Sequence, residues 1–210
     1  MTSLAQAERQ ALADLLASLG PDAPTLCEGW STRYLTAHLV LRETRPDAAP
    51  GILLPPLSRW TARVQATLAR RPFADLVGTL QTGPPRWSPV RLPGLDRVVN
   101  TVEYLVHHED VRRAQPGWEA RALTDVAQDE VWSRLRAMSR VLYRRVPVGV
   151  ALRRPDGREH SARTGEPGVV VAGEPVELLL HAFGRGAAAR VHVSGEAGAV
   201  TAMERASLGV

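Results

Sequence analysis

Apolar positions recur at intervals of three and four through the first two-thirds of the chain, then give way to short alternating runs after Pro147. Residues 2–19 place Leu4, Leu12, Leu15, Leu16 and Leu19 on one helical face, and Gly20-Pro21 ends the run. The loop "PDAPTLCEG" leads to "WSTRYLTAHLVLRET". There Ser31 is a good N-cap, and Trp30 and Leu35 have the spacing of a hydrophobic staple. That spacing predicts a helix over 32–44 with His38 in its middle. "LSRWTARVQATLAR" and "FADLVGTL" read as two further helices, followed by the proline-rich connection "TGPPRWSPVRLPG". Leu95, Val98, Val99, Val102, Leu105 and Val106 predict a helix ending near Gly117, and residues 124–144 predict another. The first part therefore reads as an all-α four-helix bundle, residues 1–146.

Beyond Pro147, "VGVALRRPDGREHSART" reads as strand, turn and strand, with Asp156-Gly157 as the hairpin signal. "GVVVAG" is a strand. "EPVELLLHAFGRG" is a helix with Pro175 in its first turn, "AARVHVSG" a strand and "EAGAVTAMERASL" a terminal helix. Residues 147–210 thus form a small α+β C-terminal domain.

Composition narrows the function classes. The 210 residues carry a net charge of +4, with 44% hydrophobic and 23% charged positions, as in an ordinary globular chain. Every basic residue is arginine, and the arginines are interleaved with acids instead of forming a stripe with aromatics. Nucleic acid is therefore not an expected partner, nor is a membrane. With no signal-peptide pattern, the expected location is cytoplasmic. The single cysteine, Cys27, excludes a disulfide framework and any CxxC motif. The oligomeric state is left open.

Candidate chemistry concentrates in "VEYLVHHED", residues 102–110. Glu103 and His107 are four apart and share one helical face. If that helix faces the one carrying His38, a His/Glu/His set converges that can hold zinc or a similar divalent ion with one position open. Asp110, a turn past His107, is placed to fix the imidazole tautomer. His108 points about a quarter turn away and is not assigned to the same ion. On spacing alone, a solvated charged face accounts for "HHEDVRR" at least as well.

"GWSTRYLTAHLVLRE" and "EYLVHHEDV" resemble two segments of the DinB-like bundle family, in the branch typified by mycothiol-dependent maleylpyruvate isomerase. "GEPVELLLHAFGR" resembles that branch's second, sterol-carrier-like domain. The resemblance implies metal ligands at His38, Glu103 and His107, usually for zinc, where many bundle relatives have a third histidine in place of Glu103. It implies a low-molecular-weight thiol such as mycothiol as co-substrate and a small-molecule substrate. The implied reaction is thiol transfer, isomerisation or metal-assisted hydrolysis. The alternative is a non-catalytic metal- or small-molecule-binding module on the same fold. Arg185 resembles an arginine at the end of a helix in the second domain, a candidate for binding a carboxylate; capping of helix carbonyls is the competing role.

The remaining candidates have plainer expectations. Cys27 could be a nucleophile, but no histidine is fixed beside it in sequence, and a buried structural cysteine is the commoner case. Trp30 reads as a core residue. Arg112 and Arg113 could pair with Glu109 or bind an anion, with a surface salt bridge as the default expectation. His160, His181 and His192 show no metal-like spacing.

Overall fold

The computed structural model describes residues 3–52, 54–85 and 100–209, in two compact units, 1–119 and 120–210. The first unit is helical: α1 (Leu4–Leu19), α2 (Thr32–Thr44), α3 (Ser58–Leu68), α4 (Phe73–Thr82) and α5 (Thr101–Arg112). The α1 start is a capping box, in which the Gln6 amide donates to Ser3 Oγ and the Ser3 amide donates to Gln6 Oε1. Gly20, at φ 78°, ends it.

Residues 32–44 form α2 as expected, but Ser31 makes no side-chain cap bond. The amides of Thr32 and Arg33 donate instead to the carbonyls of Ala23 and Pro21, so the preceding loop satisfies the first turn. Trp30 and Leu35 do pack into one apolar cluster. Helix α1 packs on α5 and α4, and α2 packs on α3 and α4. Leu12, Leu16, Leu35, Leu39, Leu76 and Leu80 form the centre of that core and are fully buried. Burial of each such leucine contributes about 1.5–3 kcal/mol.

Helix α5 ends at Arg112, short of the expected Gly117; the part of the expected helix at residues 95–99 lies outside the described residues. Nine of the 13 residues of α2 and ten of the 12 of α5 are buried. These two helices therefore have no polar face to give to solvent, and their charged side chains must find partners inside the protein.

The second unit comprises α6 (Asp125–Leu142), β1 (Gly149–Arg153), β2 (Glu159–Arg163), β3 (Gly168–Ala172), α7 (Pro175–Ala182), β4 (His192–Gly195) and α8 (Ala197–Glu204). The sheet order is β2-β1-β3-β4, antiparallel at β1–β2 and β3–β4 and parallel at β1–β3. The expected hairpin is present, with Gly157 at φ 85° in its turn. Helix α6 is where expected along the chain, and the compact units divide at 119/120. It buries Val131, Trp132, Leu135 and Leu142 and packs on α7 and β2. Among the helices of the described residues, none is long and apolar enough to cross a membrane.

Candidate metal centre

Two helices of the first unit supply the site. His38 stands in the middle of α2, and Glu103 and His107 stand one turn apart on α5. His38 Nε2 lies 3.2 Å from Glu103 Oε1, and His107 Nε2 lies 3.1 Å from the same oxygen. The two imidazole centroids are 5.4 Å apart at 73°. One donor atom from each of the three side chains falls within 4.8 Å of the others. The helix-to-helix condition attached to the spacing is thus met: the three residues converge.

Each imidazole is held by its surroundings. His107 Nδ1 lies 2.9 Å from Asp110 Oδ2, and Asp110 is fully buried. This carboxylate fixes the ring and directs Nε2 toward Glu103, the orienting role expected of a residue behind a metal-binding histidine. The Trp30 ring packs on His38 at 5.0 Å between centroids. Cys27 Sγ donates to Asp110 Oδ2 at 3.2 Å and lies 3.8 Å from His107 Nδ1. The Leu26 amide donates to the Asp110 carbonyl, tying the loop before α2 to α5.

The electrostatics follow from burial opposed by pairing. Burial pushes the Glu103 carboxyl up, but Arg42, His107 and His38 outweigh it and hold the group well below the usual carboxylate range. Burial pushes His107 down, yet Asp110, Cys27 and Glu103 hold it well above the ordinary imidazole value. A carboxylate oxygen faces each ring nitrogen of His107, an arrangement that favours the protonated ring. Burial lowers His38, opposed by its bond to Glu103 and reinforced by the nearby charge of His107.

The donor set fits a divalent ion of the zinc class. Bonds of about 2.0–2.2 Å in a tetrahedron put neighbouring donor atoms about 3.3–3.6 Å apart. The observed 3.1 and 3.2 Å from the carboxylate oxygen to the two imidazole nitrogens lie just inside that edge, so a small outward shift of the side chains admits the ion. Two imidazoles and one carboxylate leave one tetrahedral position for a further ligand.

The other sequence candidates fall elsewhere. His108 turns away from this centre and pairs with Glu8 of α1 at 2.7 Å, both buried. Arg113 pairs with Glu109 at 2.5 Å with both side chains buried, and its guanidinium lies 4.8 Å from the Trp118 ring centroid. That pair is therefore interior and not on the surface. Arg185, after α7 in the second unit, donates from its guanidinium to the Phe183 carbonyl at 2.6 Å. Cys27 and Arg42 were not singled out for this centre from sequence. Cys27 meets Asp110 across 83 positions, and no local pattern carries that information.

No protein-family model matches the chain, and no curated protein matches it. Among solved structures, two of mycothiol-dependent maleylpyruvate isomerase are similar. One, a histidine-to-alanine mutant, superposes with a TM-score of 0.59 at 16% identity, covering 92% of this chain and 91% of that one. The other gives 0.55 at the same identity and coverage. At that identity the likeness establishes a shared fold across both units.

Proposed function

We propose that this chain is a divalent-metal protein, of the zinc class, working as a thiol-dependent enzyme on a small molecule. The reading draws on the shared fold and on the motifs that resemble the mycothiol-dependent branch. The observation that carries it is the convergence of His38 Nε2, His107 Nε2 and Glu103 Oε1, with Asp110 behind His107. In this reading His38, Glu103 and His107 hold the ion. When bound, the ion supplies a Lewis acid that lowers the pKa of a thiol such as mycothiol and orients its sulfur for transfer, isomerisation or hydrolysis chemistry.

The protein's own groups do the rest. Asp110 keeps the His107 ring in one orientation and accepts its Nδ1–H. Any proton on His107 Nε2 has to leave before that nitrogen can act as a ligand, so metal uptake is coupled to proton release. Trp30 packs on His38 and limits rotation of its ring. Arg185 is proposed to bind a carboxylate of the substrate or the thiol through its guanidinium.

The test is metal analysis of the purified wild type against His38→Ala and His107→Ala, without chelators. The expected result is about one divalent ion per wild-type chain and substantial loss in both variants. A wild type without a stoichiometric ion refutes the proposal. An ion present with no thiol binding points to a non-catalytic metal-binding module on this fold.

A further inference from the structure

One oxygen of the centre is shared by more groups than a metal reading needs. Glu103 Oε1 faces His107 Nε2 at 3.1 Å, His38 Nε2 at 3.2 Å and Arg42 Nε at 3.4 Å. Arg42 is one turn beyond His38 on α2, so the helix that brings an imidazole to the site also brings a guanidinium to its side. The Arg42 side chain is 11% exposed. Among the described residues its one ion-pair partner is Glu103, and the guanidinium donates no hydrogen bond. Its terminal nitrogens are unpartnered without being sealed from solvent.

A guanidinium so largely enclosed normally has its donors satisfied. Here the one carboxylate beside it is also the carboxylate proposed to hold the ion. Once Glu103 gives its charge to a dication, it no longer balances Arg42. Asp110, the other acid of the centre, is occupied by His107 and Cys27 on the far side of the imidazole. The centre then carries positive charge that its own residues do not cancel, and it presents a planar fork matched to a carboxylate.

We infer that Arg42 is the specificity-determining residue of this centre and binds the carboxylate of its ligand. The inference rests on the metal reading above. The carboxylate belongs either to the thiol or to the molecule that reacts with it, and Arg42 addresses the same chemistry in both cases.

The experiment uses the metal-loaded full-length protein and calorimetric titration, with no turnover needed. In the first arm, wild type, Arg42→Gln and Arg42→Lys are titrated with mercaptoacetate and with 2-mercaptoethanol, thiols that differ by a carboxylate. In the second arm, acetate is titrated into each protein saturated with 2-mercaptoethanol. The expected result is a loss of about tenfold or more in affinity for the carboxylate-bearing probe in Arg42→Gln, as for removal of a charge-assisted fork. Binding of 2-mercaptoethanol and metal content should stay as in wild type, and Arg42→Lys should fall between. The arm that shows the loss identifies the carboxylate's source. Equal affinities in wild type and Arg42→Gln in both arms overturn the inference while leaving the metal reading intact. So does a parallel fall in metal content and 2-mercaptoethanol binding, which would make Arg42 a support for Glu103. A wild type without metal fails at the loading step and removes the metal reading itself.

Discussion

Asp110 offers the sharpest test of how the centre is built. Its carboxylate is fully buried, accepts from His107 Nδ1 at 2.9 Å and receives the Cys27 thiol at 3.2 Å. Asp110→Asn keeps the shape and leaves an amide oxygen that can still accept from Nδ1, but removes the charge. Asp110→Ala removes both and leaves a buried N–H without its acceptor. Loss of such an orienting partner costs about 10–100-fold in metal affinity, or about 1.4–2.7 kcal/mol. Asparagine should lie near the lower bound and alanine near the upper. Alanine should also cost about 1–3 kcal/mol in stability, as the desolvation penalty of a buried unpaired donor. The assay is competition for the ion with a chelator of known affinity, repeated across pH. Because Asp110 helps to hold His107 protonated in the metal-free protein, wild-type affinity should rise steeply with pH and the asparagine variant should show a flatter rise. Unchanged affinity and unchanged pH slope in both variants would refute the assignment of Asp110 as the group that orients His107.

Three further outcomes are expected. His181 is buried, bonded to the Tyr143 hydroxyl at 3.1 Å, and lowered by burial to about 4. Its unfolded form, near 6.5, binds the proton first, so its share of stability is whole above about pH 6.5 and is lost as pH falls toward 4. That share amounts to about 3 kcal/mol, and urea unfolding at pH 7 and 4.5 should show a smaller pH loss in His181→Gln. Gly149→Ala would set a Cβ 2.1 Å from the Gly165 carbonyl oxygen, so it should lower the urea midpoint by an amount equivalent to about 1–3 kcal/mol; an unchanged midpoint would show that the start of β1 yields freely. Arg185→Ala should raise the KM of a carboxylate-bearing substrate; unchanged turnover and KM would leave Arg185 a purely structural role, its bond to the Phe183 carbonyl included.

Local pattern and tertiary packing contributed different parts of this picture. Helix and strand positions were legible because each depends on neighbours a few residues away. Gly20-Pro21 stops α1, Pro175 starts α7, and Asp156-Gly157 turns β1 into β2. The Glu103-to-His107 spacing is of the same kind, since residues four apart on a helix share a face whatever surrounds them. The sequence by itself therefore determined the elements, two of the three residues of the candidate centre and the family whose fold the chain shares. It did not determine which helix faces which. Helix α6 looks like a fourth bundle member by periodicity, yet its apolar face is used by α7 and β2, and periodicity does not name a partner. His38 reaches Glu103 across 65 positions, and Cys27 reaches Asp110 across 83, through packing alone. The two site helices are buried nearly all round, so they lack the polar stripe that would have marked their facing sides. Only the tertiary structure sets Arg42, Glu103 and the two imidazoles around one oxygen atom, because that arrangement depends on the relative placement of α2 and α5, which no local interaction sets.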